Sequence, residues 1–127
     1  MSSDLIQSST HVKKLSGSDF NDKQVWNLKK IKDCCMVVFY SPTCPHCINM
    51  QPEFLKFAQK CKYMRIYAFN VKDNADHYQK IKHDNPNFIA GVPTFYFYSN
   101  GKPTETFEDE RTEQAFLQAS MRICSSS

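Results

Sequence analysis

No apolar stretch in the chain approaches the roughly 20 residues that a membrane span requires, so no membrane contact is expected. The start, Met1-Ser2-Ser3-Asp4-Leu5-Ile6, lacks a basic region followed by an apolar block and does not read as a signal peptide. The end, Ile123-Cys124-Ser125-Ser126-Ser127, matches neither a lipidation box nor a retention signal. These absences point to the cytoplasm, a reducing compartment. Strong charge is missing too. The net charge of +3 is too small to argue for nucleic acid. The one loose basic cluster, Lys23, Lys29, Lys30 and Lys32, reads as a solvated helix face. Tryptophan occurs once, at Trp26, where packing against a sheet is the expected role.

What is present is a globular chain. Its 127 residues suggest one domain, 11–124, with short polar tails at 1–10 and 125–127. Hydrophobic residues make up 41%, which excludes a disordered chain. Six cysteines in a reducing compartment are expected to be catalytic, metal-binding or free. A zinc site would want a second ligand pair. Cys34 and Cys35 are adjacent and point to opposite faces of a strand, so no metal and no other cofactor is expected. Cys34, Cys35, Cys61 and Cys124 read as small buried or incidental thiols.

Along the chain, 11–15 suggests an edge strand, and Ser18 a helix N-cap. Phe20, Val25, Leu28 and Ile31 recur at helical spacing. Cys34–Tyr40 is a continuous apolar run of the kind buried on both faces of a sheet. A helix from Cys44 to about Lys62 follows, with Pro52 expected to kink it. Tyr63–Val71 suggests a third strand, and 72–83 a helix. Thr94–Tyr98, Asn100-Gly101 and Thr104–Phe107 form a hairpin signal. Thr112 opens a last helix. The pattern β-α-β-α-β-α-β-β-α implies an α/β fold. Its mixed sheet of four or five strands has helices on both faces and an antiparallel C-terminal hairpin.

The chemistry is concentrated in Thr43-Cys44-Pro45-His46-Cys47. Two cysteines one helical turn apart can close to a disulfide. Helix N-terminal N–H groups favour the Cys44 thiolate, and Cys47 lies within bridging reach. Pro45 suits the first turn, where its missing N–H costs nothing. A charged His46 would favour the reduced pair.

Cys44-Pro45-His46-Cys47 between strand and helix, Pro52 five residues later, and Gly91-Val92-Pro93-Thr94 before an aromatic strand resemble the thioredoxin superfamily. The 15–20 and 107–112 segments resemble protein disulfide isomerase catalytic domains. That resemblance implies a cis Pro93 beside the dithiol and substrate backbone paired at Val92. It also implies an Arg111 that eases deprotonation of Cys47. Three positions depart from the family. Thr43 replaces the usual Trp and could cap the helix. Val38 replaces the usual buried acid. Ala68 stands near where the acid's lysine partner would fall.

The resemblance implies a thiol–disulfide oxidoreductase acting on protein substrates, with a separate redox partner and an open direction of electron flow. The alternative is a thioredoxin-fold binding module with little redox turnover. Pro-His between the cysteines favours an oxidant or isomerase over a reductase. A cytosolic relay of the kind some large DNA viruses use, in the host cytoplasm or virion, would reconcile that with a reducing location.

Overall fold

Six consecutive buried residues, Cys35–Tyr40, form the middle strand of a five-stranded sheet. The computed structural model describes residues 4–124. In chain order the elements are α1 (Leu5–Ser8), β1 (Lys13–Leu15), a 3-10 turn (Gly17–Asp19), β2 (Cys35–Tyr40) and α2 (Pro45–Lys60). They continue with β3 (Arg65–Asn70), α3 (Ala75–Asp84), β4 (Thr94–Ser99), β5 (Lys102–Phe107) and α4 (Glu113–Cys124). The sheet order is β1-β3-β2-β4-β5. β1 and β2 run parallel to β3, whereas β4 is antiparallel to both β2 and β5. The antiparallel part therefore begins at β4, one strand earlier than the hairpin alone implied. Asn100 and Gly101 both take positive φ, 55° and 81°, as an Asn-Gly hairpin turn requires.

Because β2 is covered on both faces, alternate residues feed two cores. Met36, Val38 and Tyr40 pack with Phe54, Phe57, Phe95 and Phe116 beneath α2 and α4. Cys35, Val37 and Phe39 pack with Phe20, Phe69, Ile81 and Phe88 on the opposite side. Fully burying each such side chain contributes about 1.5–3 kcal/mol, which is why a continuous apolar run is stable here. α2 continues through Pro52 without a break.

Three expectations are corrected. Residues 4–10 are not a loose tail. Ile6 is completely buried in the α2/α4 core, Asp4 caps α1 by accepting the Gln7 N–H, and the Tyr40 hydroxyl donates to Asp4 at 2.8 Å. Residues 1–3 and 125–127 lie outside the described residues.

The expected helix over 18–31 is also absent. Ser16, not Ser18, caps the 3-10 turn, through a reciprocal contact with Asp19. The Asn21 carboxamide then accepts the N–H groups of Lys23 and Gln24, taking donors a helix would need. Phe20, Val25 and Leu28 are buried all the same, each directed at the sheet by turns. Trp26 is half-buried with its ring 6.5 Å from Phe88, a packing role without a helix.

Finally, Cys34 and Cys124 are not incidental thiols. They form a disulfide with Cα atoms 5.5 Å apart, tying the entry of β2 to the end of α4. Cys35 lies in one core while Cys124, the partner of Cys34, packs against the other, and Cys35 and Cys61 are free and buried.

Candidate active site

The C-terminal end of β2 delivers the chain into a tight turn. Ser41 C=O accepts the Cys44 N–H at 3.3 Å, and Cys44 becomes the N-cap of α2 with Pro45 at its first position. The turn places Cys44 half-exposed and Cys47, one helical turn on, completely buried. The Ser41 N–H donates to the Cys47 sulfur at 3.3 Å. The Cys44 thiol points across to the Val92 carbonyl, with S···O 3.6 Å. The Val92–Pro93 peptide bond is cis, with Pro93 buried and Val92 half-buried.

The two sulfurs are electrostatically unequal. The Cys47 N–H, the His46 N–H, the Cys47 thiol and the Arg111 charge together hold Cys44 below the ordinary thiol range, against the opposing effect of burial. Burial pushes Cys47 up to about 11. The Ser41 N–H and Arg111 oppose that shift, and the Cys44 charge adds to it. One thiol is thus poised as a nucleophile and the other is held protonated beneath it. That is the arrangement a two-step disulfide exchange uses.

Arg111 is exposed, with its guanidinium 6.0 Å from the Phe95 ring centre, and its charge is felt by both sulfurs. His46 acts on Cys44 through its backbone N–H; the imidazole is not among the groups that lower Cys44. Thr43 does not cap α2. Its hydroxyl lies 3.3 Å from the Ser41 hydroxyl and accepts from the Lys72 ammonium at 3.3 Å. Val38 and Ala68 are cross-strand partners, both buried and apolar, beneath the pair.

Sequence reasoning missed Ser41 and Lys72. Ser41 acts through its backbone N–H, which carries no residue-type signal. Lys72 lies 29 positions from Thr43 and reaches it only because β3 is the neighbour of β2.

Fold and site define a class: a thioredoxin-fold domain with a dithiol at a helix N-terminus facing a cis-proline loop. The chain belongs to the thioredoxin family, whose model matches residues 11–122. It is 35% identical over 112 residues to mouse protein disulfide-isomerase A5, covering 84% of this chain and 20% of that protein. With mouse protein disulfide-isomerase A6 it is 30% identical over 121 residues, covering 94% of this chain and 25% of the other. The chain spans about a fifth of the length of the first of these relatives. Among solved structures, the J-Trx1 fragment of ERdj5 has a TM-score of 0.74 at 20% identity, covering 96% of this chain and 56% of that one. The Trx4 domain of ERdj5 gives 0.64 at 21% identity, covering 87% and 93%. These two likenesses show the fold. No helix among the described residues is long and apolar enough to cross a membrane.

Proposed function

We propose that this domain is a thiol–disulfide oxidoreductase acting on protein substrates through Cys44 and Cys47. The observation that carries the reading is the unequal pair: Cys44 half-exposed and lowered, Cys47 buried and raised. In the reducing direction the Cys44 thiolate attacks one sulfur of a substrate disulfide. A Cys44–substrate bond forms, the substrate S–S bond breaks, and the departing substrate thiolate takes a proton. Cys47 then loses its proton and attacks the Cys44 sulfur. The second substrate thiol leaves, two electrons have passed to the substrate, and the Cys44–Cys47 disulfide remains. The oxidising direction is the reverse, and a separate redox partner resets the pair. Val92 and Pro93 border the position of the substrate sulfur, and Arg111 eases loss of the Cys47 proton.

Insulin reduction with dithiothreitol tests this. The wild-type domain should exceed its Cys44→Ser variant by orders of magnitude. The apolar Val38–Ala68 pair, with no buried carboxylate among the described residues to accept the Cys47 proton, favours a second reading as a binding module. A wild-type rate equal to that of Cys44→Ser would select it. The reduction potential assigns direction: about −270 mV marks a reductase and about −120 mV an oxidant.

The Cys34–Cys124 bridge bears on location. Disulfides persist in oxidising compartments. A cytoplasmic or virion setting then requires a dedicated oxidant to maintain the bridge, whereas an oxidising lumen requires none. Thiol trapping of the protein in its native cells separates the two.

A further inference from the structure

Four polar side chains are buried among the described residues: Ser41, Gln51, Asn70 and Ser120. Three have partners. The Ser41 hydroxyl lies 3.3 Å from that of Thr43, the Asn70 carboxamide accepts the Lys72 N–H at 2.9 Å, and Ser120 meets the Tyr63 hydroxyl and the Leu117 carbonyl. Gln51 is the exception. It is 2% exposed, and its Nε2 donates to no partner. Native structures pair almost every buried donor, because an orphan forfeits its hydrogen bonds to water and gains none. An apolar residue at 51 would escape that penalty, so the amide calls for a partner that arises in another state of the protein.

Its place on α2 names that partner. The buried face of α2 consists of Cys47, Met50, Gln51, Phe54, Phe57 and Ala58, and Gln51 is the one amide on it. Gln51 follows Cys47 by four residues, and side chains at that spacing lie on one strip with Cβ atoms about 5–6 Å apart. A helical side chain leans toward the N-terminus of its helix, so Gln51 covers the turn that carries Cys47. The side-chain torsions of a glutamine let its amide span that gap. In this reduced form the Cys47 sulfur accepts from the Ser41 N–H at 3.3 Å and has no bond from Gln51.

The other polar groups around Cys47 are committed or lie elsewhere. Tyr40 shares the core from β2 but donates to Asp4. The Asp4 carboxylate, at the start of α1, also accepts the Gln7 N–H. β3 and β4 bring the apolar Ala68 and Phe95 to this core. On the α4 side Glu113 pairs with Lys60, and its N–H donates to Glu53. Cys61 closes α2, about 21 Å along the helix axis from Cys47. Cys44 and Arg111 act on Cys47 from the exposed side of the turn.

We infer that Gln51 serves the resolving step: its Nε2–H turns onto the Cys47 sulfur as that sulfur ionises and steadies the thiolate for attack on the Cys44–substrate bond. The inference rests on the oxidoreductase reading and adds a residue to it. The Cys47 proton leaves to solvent, and the thiolate attacks the Cys44 sulfur. The Cys44–Cys47 bond forms, and the substrate thiolate departs with the electron pair of the broken bond. Gln51 neither gains nor loses a proton. Hydrogen bonds to a charged acceptor are about twice as strong as neutral ones, so the amide favours the thiolate over the thiol. Val38 and Ala68 bring no charge to help that ionisation, and the amide helps it without burying one.

The test follows the reduced domain mixed with the aromatic disulfide dithiobis(nitrobenzoate) in a stopped-flow instrument. Cys44 attacks the reagent and releases one thionitrobenzoate, and Cys47 then displaces the other from Cys44. The first phase depends on reagent concentration and the second does not, so attack and resolution are read separately. Gln51→Leu should slow the second phase at neutral pH by about threefold or more relative to the first, and displace its pH profile upward by about half a unit. Its resistance to denaturant should hold or improve, because an orphan donor has been removed. Gln51→Asn, which keeps an amide on a shorter arm, should recover part of the rate. If Gln51→Leu does not fold, Gln51→Met, unbranched and apolar, takes its place. A second phase of unchanged rate and pH profile overturns the role of Gln51 and leaves the oxidoreductase reading intact. A slower second phase with an unmoved profile also overturns it, since repacking around Cys47 then suffices. A wild-type domain with no concentration-independent second release overturns both.

Discussion

Val38 and Ala68 stand directly opposite one another on β2 and β3, both buried, with Cys47 in the same core. An acid at Val38 would have no cation across the strand, and burying one without a partner costs several kcal/mol. The apolar pair avoids that cost, and among the described residues no buried carboxylate stands ready to accept the Cys47 proton.

Val38→Glu should therefore raise turnover at neutral pH by restoring an acceptor beneath Cys47. The same substitution should lower stability by about 3–5 kcal/mol, the scale of an uncompensated buried charge. Insulin-reduction rates and denaturant titration give the two readouts. An unchanged rate would sink the idea.

The unequal thiols should separate in alkylation. In the reduced domain Cys44 should react with iodoacetamide with a pH midpoint below the ordinary value of about 8.5. Cys47 should stay protected until the pH nears 11. Between the unfolded thiol value and 11, unfolding releases a proton that the folded Cys47 retains. Stability of the reduced form should then fall as pH rises through that window. Arg111→Gln should move both midpoints upward, since its charge favours both thiolates, and Arg111→Lys should restore part of the shift. Peptide mapping after timed alkylation gives the midpoints, and denaturant titration across that pH window gives the stability.

Breaking the Cys34–Cys124 bridge with the double Ser variant should cost about 2–4 kcal/mol, by releasing the constraint on the unfolded chain. Guanidinium unfolding of the oxidised wild type and of the variant should differ by that amount. Excess dithiothreitol should bring the wild type down to the variant.

Ile6→Ala should cost about 2–5 kcal/mol, the usual range for emptying a fully buried aliphatic site. A loss under 0.5 kcal/mol would mean that residues 4–9 are not docked on the sheet.

The strands and the dithiol were legible because their signals are local. Cys35–Tyr40 is an unbroken apolar run, Asn100-Gly101 names its own turn, and Cys44 to Cys47 is a four-residue motif. What escaped was tertiary. Phe20, Val25 and Leu28 have helical spacing, but the Asn21 carboxamide diverts the backbone and the sheet buries the side chains anyway. Ile6 lies in a Ser-rich stretch that looks solvated until α2 and Tyr40 are placed beside it. The partners Cys34 and Cys124 are 90 residues apart, and only the packing of α4 against the sheet brings them together. Lys72 reaches Thr43 solely because β3 neighbours β2.

The bridge between Cys34 and Cys124 also has a mechanical meaning. Pulled from its two ends, the oxidised chain can pay out only the residues before Cys34 and the few after Cys124. At about 3.4 Å per residue that is on the order of 120 Å, against roughly 430 Å for the whole chain. The closed loop, with the dithiol and four of the five strands inside it, carries no tension. Single-molecule extension should show the short contour length until a reductant is added. A narrow translocation channel would meet this domain as two strands side by side rather than as one thread.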